Sequence, residues 1–458
     1  MKNNFLFFLL FSFSKIYSQS VTIIPSGNAA QIEAKSNNSG TLIQRMTSQE
    51  RLSITNPQVG LLTYDTEKGA LFLFDGQKWL PLAFANPNNI NTVEKTSQVN
   101  SRGVYFGTKV AMENDYAIIS TPANQFVTGS VYIFKRDSEN GWQEIQRLYP
   151  NDGGKIASDI AISGDYIFVG SSVINNQNSF VYVFKKQNEN SWIQYQKLSA
   201  RGIRQETDLF GSSIDIDGNY AVIGSYSEGV VYIYKLINET WSQVSRINGD
   251  NSGAWFGYSV AIDGQNIAVG AIFENGTRGA VYIFRKYDDT FWYSIKKIDG
   301  FQEREQFGWT LTMSANKLAI GSPYYNFFLE GKEYIANGRV YIYSTNTGSW
   351  NFEGQYDSPT QQAYQNFGFS VAMNGQKVII GAPNFTEEYY QQGRVYLYEW
   401  SIPSNLGSGF SYIGRITENN QNQDSYTGKS VAISNQYFII GSPGYKVGTG
   451  KVLFGNTQ

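Results

Sequence analysis

The chain has 458 residues, and its formal net charge of -2 gives no basis for binding nucleic acid or an anionic membrane surface. It has no cysteine, which excludes disulfides and thiolate chemistry, and no histidine, which removes the usual general base and the commonest metal ligand. Glycine is abundant, at 45 residues, and aromatic residues make up 16% of the chain. This composition is typical of short strands joined by tight turns.

The first 20 residues have the pattern of a secretory signal peptide. Lys2 precedes a short apolar run at residues 5–13, and small residues follow at Ser18 and Ser20. The run is shorter than the roughly 20 residues that cross a bilayer, and no later segment is apolar enough to do so. We therefore predict a signal peptide at 1–18 and a secreted or cell-surface protein without a transmembrane segment. The alternative is an uncleaved N-terminal anchor.

Residues 19–90 do not follow the repeat that fills the remainder of the chain. The capping box from Thr47 to Glu50 predicts a short helix that continues through Ile54 and is stopped by Pro57. Two predicted strands follow, at residues 60–65 and 70–74, before a second turn. This pattern predicts a small β-rich module, joined by a linker at residues 86–91 to the next domain.

The stretch TLIQRMTSQERLSITNPQVGLLTYDTEKGALFLFDGQKW, residues 41–79, resembles a module found near the start of many secreted bacterial proteins. It is also similar to parts of phage tail fibres, in which such modules trimerise. The resemblance therefore implies self-association through this module. A simple β-rich spacer is the alternative.

A pattern of four short strands recurs seven times in the remainder of the chain. The third strand reads Val-Tyr-hydrophobic-aromatic at residues 131–134, 181–184, 231–234, 281–284, 340–343 and 395–398, with a weaker copy at 452–454. The second strand ends in a small residue, and in five copies the first strand begins with Phe-Gly. We expect the aromatic ring to fill the gap between neighbouring units, while glycine allows the backbones to approach closely. A period of 50 to 59 residues with four strands per unit predicts a β-propeller.

An aromatic residue opens the fourth strand in six of the units. Five are tryptophans, which we interpret as packing anchors because they recur from unit to unit: Trp142, Trp192, Trp241, Trp292 and Trp350. The seventh unit ends after its third strand, but residues 93–99 have the spacing of a fourth strand. We predict that they complete the last blade, which closes the ring and removes a free sheet edge.

The Phe-Gly pairs, together with Gly-Ser-Pro at 321–323 and 441–443 and Gly-Ala-Pro at 381–383, resemble FG-GAP repeats. The resemblance covers residues 92–458 and implies the seven-bladed propeller of integrin α chains and of many secreted bacterial proteins. The predicted fold is thus all-β. A seven-bladed β-propeller at 91–458, with the outer strand of its last blade supplied from the N-terminal side, follows the small module at 19–90.

Integrin-type repeats often bind calcium in a D-x-D-x-D-G loop between the first two strands, so the resemblance raises the question of a metal site. The corresponding connections here are too short and too poor in acidic residues. Asp215 and Asp217 come nearest, but strand alternation would direct both to one face without a third ligand. We therefore predict no metal site and no cofactor.

Several propellers hydrolyse sugars, which requires two facing carboxylates. The first strands carry no recurring acidic pair, and residues 248–255 only approach the Asp-box turn of sialidase-type propellers, because their glycine stands one position late. With histidine and cysteine also absent, the sequence predicts a protein without catalytic residues. A polysaccharide-acting enzyme whose acidic residues come from distant loops is the least favoured alternative.

The loops between the second and third strands of the fifth and sixth units are the predicted binding site, because they are long and rich in aromatic residues. The residues are Tyr324, Tyr325, Phe327, Phe328, Tyr334, Phe385, Tyr389 and Tyr390. Such loops suit packing on a protein or stacking on a sugar, although they could also pack on each other. We predict a non-catalytic extracellular or cell-surface recognition or adhesion scaffold for a protein partner. A glycan-binding, lectin-like propeller is the alternative.

Overall fold

The computed structural model describes residues 43–66, 70–81, 90, 92–97, 103–124, 129–137, 141–171, 179–200, 209–329, 331–346, 348–401, 409–416 and 422–457. The predicted signal peptide, most of the predicted linker and the end of the predicted closing strand lie outside these residues. No helix in the described part of the chain is long and apolar enough to cross a membrane.

A small four-stranded sheet forms the N-terminal module. Its strands, in spatial order, are Arg45–Met46, Leu62–Asp65, Ala70–Phe74 and Trp79–Pro81. The helix Ser48–Leu52 begins at the predicted capping box, in which the Thr47 hydroxyl accepts the Glu50 amide and the Glu50 carboxylate accepts the Thr47 amide. The helix ends before the predicted Ile54, because the Ser53 hydroxyl donates to the Glu50 carbonyl oxygen and satisfies a terminal acceptor.

Seven antiparallel four-stranded sheets, called blades 1–7, follow in the described part of the chain. Blade 1 comprises Val110–Glu113, Tyr116–Thr121, Ser130–Asp137 and Gly141–Leu148, and blade 2 comprises Ile156–Ser163, Tyr166–Ser171, Val181–Asn188 and Ser191–Leu198. Blade 3 comprises Ser213–Asp217, Tyr220–Ser225, Val230–Ile237 and Thr240–Asn248, and blade 4 comprises Phe256–Asp263, Asn266–Ala271, Ala280–Lys286 and Trp292–Asp299.

Blades 5 to 7 have the same order of strands from the inner to the outer edge. Blade 5 comprises Thr310–Ser314, Lys317–Ser322, Arg339–Thr345 and Trp350–Asp357, and blade 6 comprises Ser370–Asn374, Lys377–Ala382, Arg394–Ser401 and Gly409–Ile416. Blade 7 comprises Ser430–Ser434, Tyr437–Ser442, Lys451–Asn456 and, as its outer strand, Thr92–Thr96. Two short helical turns, Ser252–Ala254 and Tyr445–Gly448, and a hairpin of Phe327–Leu329 with Lys332–Tyr334 lie between these strands.

The inner strands of the blades surround a central channel. Each inner strand contacts that of the next blade, and the inner strand of blade 7 contacts that of blade 1, so the ring is closed. Each interface between blades encloses a hydrophobic cluster. The predicted all-β propeller is therefore confirmed.

The outer strand of blade 7 comes from the N-terminal side, as predicted. Val93 lies opposite Phe454, and Lys95 lies opposite Val452, in an antiparallel pairing. The ammonium of Lys451, which is fully buried, lies 2.9 Å from the Glu94 carboxylate. Any other pairing of the two strands would separate these charges and leave one of them buried and uncompensated. The ion pair therefore favours the observed register of the closing strand.

The Phe-Gly pairs bring the backbones of adjacent blades into direct contact. Gly211 adopts a φ of 87°, and Gly107 adopts a φ of 90°, in the left-handed region that favours glycine. A β-carbon on Gly170 would clash with the Gly211 carbonyl oxygen, and a β-carbon on Gly441 would clash with the Gly107 carbonyl oxygen at the closure of the ring. Glycine is therefore required on both sides of these contacts.

The recurring tryptophans pack between blades, which confirms their structural interpretation. Trp192 meets Tyr116 of blade 1 edge-on, with ring centroids 5.0 Å apart, and Trp241 meets Phe168 of blade 2 at 4.9 Å. Trp142 stacks on a phenylalanine of blade 7 at 4.6 Å. All of these indoles are buried, so each anchors its outer strand to the preceding blade.

We expect the substitution Gly441→Ala to lower the free energy of unfolding by about 1–3 kcal/mol, because the added methyl group overlaps the Gly107 carbonyl oxygen where the ring closes. Urea denaturation measured by tryptophan fluorescence tests this. Gly354→Ala is the matched control, since its β-carbon would have no neighbour nearer than 3.6 Å. Equal unfolding midpoints for the two variants would contradict the role of the glycine contact.

Candidate functional site

The loops between the second and third strands and the connectors between blades lie at the same end of the channel, here called the connector face. Isolated parallel bridges join the start of one blade's inner strand to the end of the preceding blade's loop, as between Phe307 and Gly279 and between Phe367 and Gly338. Among the described residues, four such bridges fix the connectors between blades 4 and 5, 5 and 6, 6 and 7, and 7 and 1 beside the neighbouring loop. A site on this face combines residues from two successive blades.

The blade 5 loop carries five of the predicted binding residues, and its aromatic side chains have different environments. The Tyr325 ring lies 3.8 Å from the guanidinium carbon of Arg339, which in turn donates two hydrogen bonds to Asp357. Phe327 packs beside Tyr334 across the hairpin. Phe328 is 60% exposed. Tyr325 is thus held inside the loop, whereas the hairpin presents Phe328 to solvent.

The blade 6 loop repeats this arrangement. Phe385 is 2% exposed, and the guanidinium carbon of Arg394 lies 3.8 Å from its ring centroid. Arg394 also forms an ion pair with Glu387. The last two predicted residues, Tyr389 and Tyr390, are 44% and 60% exposed. Phe385 therefore stabilises the loop, and the two tyrosines are its accessible part.

A cleft of about 950 Å³ separates the two loops. Of the eight predicted residues, the cleft brings together Tyr324 and Tyr390, while the other six lie outside its lining. Tyr364, from the connector between blades 5 and 6, also lines the cleft and is 60% exposed. The sequence reasoning missed Tyr364 because it considered only the loops. The connector sequence QQAYQ, at 361–365, is the signal that could have indicated it.

The walls of the cleft are fixed by amide side chains that hydrogen-bond to the backbone. Gln302 donates to the Asn326 carbonyl oxygen and accepts from the Asn326 amide, both at 3.1 Å. In the next blade, Gln362 makes the same reciprocal pair with Thr386, whose amide donates at 2.7 Å. These pairs hold the loops in place before any ligand arrives, which lowers the entropic cost of binding.

The central channel is another cavity that opens on this face, and it has a volume of about 850 Å³. The residue after each Phe-Gly pair, or its equivalent, lines the channel and is half-buried. These seven residues, called the channel mouth, are Thr108, Ser158, Ser212, Tyr258, Trp309, Phe369 and Lys429. The Trp309 ring lies 5.0 Å from the Tyr258 ring and 5.2 Å from the Phe369 ring, so blades 4–6 supply a continuous aromatic arc. The repeat pattern did not predict this position, because its residue type changes from blade to blade.

Lys429 ends the aromatic arc. Its ammonium nitrogen lies 4.0 Å from the Phe369 ring centroid, and it has no carboxylate partner within the described residues. Burial, with a smaller contribution from the charge of Lys109, lowers the pKa of Lys429 to about 8. Lys109 itself pairs with Asp159 at 3.0 Å.

Below the mouth, the channel is lined by two layers of apolar side chains, because alternate residues of each inner strand face the axis. The first layer comprises Val110, Ile160, Ile214, Val260, Leu311, Val371 and Val431. The second comprises Met112, Ile162, Ile216, Ile262, Met313, Met373 and Ile433. Below the mouth, these two layers therefore present only apolar side chains to the channel axis.

The acidic residues nearest to a calcium motif bind backbone amides instead. Asp215 accepts from the Ile262 amide at 2.8 Å, and Asp217 accepts from the Gly264 amide at 2.6 Å. Burial raises the pKa of Asp215 to about 7. Among the residues that the structure describes, no group of three acidic, histidine or cysteine side chains is placed to hold a metal ion.

Two family models match parts of the chain. Residues 192–234 and 241–284 match the FG-GAP repeat, and residues 21–102 match the phage tail like trimerisation region. The chain therefore carries FG-GAP repeats behind a module of the phage tail type, as its motifs indicated. No curated protein matches the chain.

Solved structures similar to this chain include β-propellers. The β-propeller domain of Cps50 (Swd1) from Myceliophteria thermophila has a TM-score of 0.50 and 12% identity, covering 80% of this chain and 100% of that chain. A putative 6-phosphogluconolactonase from Bacteroides uniformis has a TM-score of 0.48 and 15% identity, covering 78% and 94%. At 12% identity, the likeness to the Cps50 domain shows the fold alone.

We expect Lys429→Met to raise the melting temperature at pH 7, and this gain to shrink as the pH rises. The folded state holds the pKa of Lys429 at about 8, below its ordinary 10.5, so the unfolded state binds more protons between these values. The stability of the unsubstituted protein therefore rises with pH across that window, relative to the variant. Differential scanning calorimetry from pH 6.5 to 10 measures the difference.

Lys332→Met, at an exposed hairpin position, is the matched control for this measurement. Its melting temperature should follow that of the unsubstituted protein at every pH. Parallel pH profiles for Lys429→Met and the unsubstituted protein would show that burial of this ammonium has no cost in the folded state.

Proposed function

We propose that this protein is a non-catalytic recognition or adhesion scaffold, acting outside the cell or at its surface, which binds a protein partner through the blade 5 and blade 6 loops. The observation that carries the proposal is the cleft between these loops. Exposed tyrosines line it, and hydrogen bonds between amide side chains and the backbone hold its loops in place. FG-GAP repeats in a closed propeller are consistent with a binding scaffold.

The chemistry of the cleft suits a protein surface. Tyr364 and Tyr390 are both exposed, and tyrosine and arginine are the side chains that dominate binding energy at protein interfaces. Arg304 lines the same cleft, and no carboxylate of the described residues pairs with it. An acidic side chain of a partner segment would therefore pair with this exposed guanidinium, since Glu333, the carboxylate in the same lining, accepts from the Asn326 side-chain amide instead.

Export and self-association complete the proposal. The signal-peptide pattern of the first 20 residues supports export. The match to the phage tail like trimerisation region supports self-association through the N-terminal module. An oligomer would present several clefts at once, so modest affinity at each cleft would give high avidity on a partner-bearing surface.

The combined substitution Tyr364→Ala with Tyr390→Ala should weaken partner binding at least tenfold, because each ring supplies an exposed contact that alanine removes. The candidate partners are the proteins that the immobilised protein retains from extracellular and cell-surface fractions. Surface plasmon resonance with each purified candidate measures the affinity.

The matched control is Tyr287→Ala with Phe291→Ala, which removes two exposed rings of blade 4 outside the cleft. It should leave the affinity unchanged. If the cleft variant retains every candidate as tightly as the control does, the partner does not bind at these loops.

The full mature chain is expected to sediment as an oligomer, and a chain that begins at residue 91 is expected to sediment as a monomer. The shortened chain keeps the strand Thr92–Thr96, so its propeller can still close. Analytical ultracentrifugation of both proteins provides the measurement. Oligomers of equal size would place the association in the propeller instead.

A further inference from the structure

We propose that the channel mouth is a second binding site, which takes an acidic sugar such as a uronic acid residue of an anionic glycan. The site is formed by the aromatic arc of Tyr258, Trp309 and Phe369 together with Lys429 and the hydroxyl-bearing residues across the channel. This inference does not rest on the protein partner proposed for the cleft.

The two sides of the mouth have complementary chemistry. In a closed ring of seven blades, blade 5 lies across the axis from blades 1 and 2, so Trp309 faces Thr108 and Ser158. The Thr108 hydroxyl donates to the Tyr105 carbonyl oxygen at 2.7 Å, which leaves its lone pairs free to accept. A sugar ring has an apolar C–H face that packs on an aromatic ring and hydroxyls that donate hydrogen bonds. The aromatic arc supplies the ring surface, and the hydroxyl of Thr108 supplies an acceptor on the other side of the channel mouth.

Lys429 selects an acidic ligand. Its ammonium lies against an aromatic ring, partly removed from water, and the described residues provide no carboxylate to balance it. A charge without a partner in such a position costs free energy, which a bound carboxylate would recover. The same charge opposes the entry of a cationic ligand or an amino sugar, whereas the charge of Lys109 is balanced by Asp159.

The apolar layers beneath the mouth limit how far a polar ligand can enter. Val110, Val260 and Leu311 belong to the ring of aliphatic side chains directly below, and this ring supplies no hydrogen-bonding side chain. A sugar hydroxyl placed there would lose its bonds to water without replacement. The ligand is therefore held at the level of the aromatic arc. This fits a terminal sugar, or one sugar of a chain that crosses the connector face.

Tyr324 links the channel mouth to the cleft. Its ring centroid lies 5.4 Å from that of Trp309, and its side chain also lines the cleft between the blade 5 and blade 6 loops. The two sites are therefore neighbours on one face. Substitutions that separate them must leave Tyr324 in place.

The experiment titrates the full mature protein with oligomers of glucuronate or galacturonate and, in parallel, with neutral oligomers of glucose or galactose. Isothermal titration calorimetry measures the affinity, and a change in tryptophan fluorescence that Trp309→Ala abolishes reports contact with Trp309. We expect the acidic oligomers to bind at least tenfold more tightly than the neutral ones. Higher ionic strength should reduce that preference, since a charge pair contributes to it.

Lys429→Met should lower the affinity for the acidic oligomers to that for the neutral oligomers, and Trp309→Ala should weaken both. Lys332→Met and Trp400→Ala are the matched controls, because both residues lie outside the lining of the channel and the cleft. Circular dichroism of each variant identifies any loss of fold. The cleft variant Tyr364→Ala with Tyr390→Ala should bind the acidic oligomers normally, so the two proposed sites can fail separately.

Three results would overturn the proposal. The first is equal affinity for acidic and neutral oligomers, or no binding of either. The second is unchanged binding of the acidic oligomers by Lys429→Met. The third is tight binding of laurate or of a polyglutamate peptide in place of the sugars, since the ligand would then be an anionic amphiphile or an acidic protein segment.

Discussion

Backbone-to-backbone contact between adjacent blades is the constraint on which the structure depends. At Gly441 and Gly107, as at Gly170 and Gly211, neither residue can carry a side chain, so neighbouring sheets approach more closely than side chains would allow. The interface of blades 1 and 2 solves the problem differently. Ala157 adopts a φ of 83° in place of glycine there, at a cost in backbone strain.

A second series of contacts closes the opposite end of the ring, where tight turns join the first two strands of each blade. At three interfaces a carboxylate of one blade accepts the turn amide of the next, and at two others a serine hydroxyl oxygen does so. Glu113 accepts from Gly164, Asp217 from Gly264 and Asp263 from Asn316. Because these turns expose an amide that needs an acceptor, the acidic residues near them join blades. The acidic residues near the turns therefore resemble a calcium-binding motif in sequence, although they bind backbone amides of the next blade.

The fold could be predicted from the sequence because every signal of it is local and repeated. The period, the Phe-Gly pairs and the spacing of residues 93–99 defined the strands, including the strand that closes blade 7. The candidate site was harder to predict, because its residues come from different blades. Tyr325 and Phe385 were interpreted as ligand contacts, yet each lies two residues after a proline and packs on the arginine that opens the third strand.

Repetition also indicates where function can reside. The aliphatic layers of the channel keep one kind of side chain in all seven blades, since each blade must fill the same space. The position after Phe-Gly varies from Thr108 to Trp309 to Lys429, so packing does not determine it. A half-buried ammonium without a carboxylate partner weakens the folded state, and the Phe369 ring offsets only part of that cost. A ligand that binds there would supply the missing charge, and for this reason the departures from the repeat define the candidate sites.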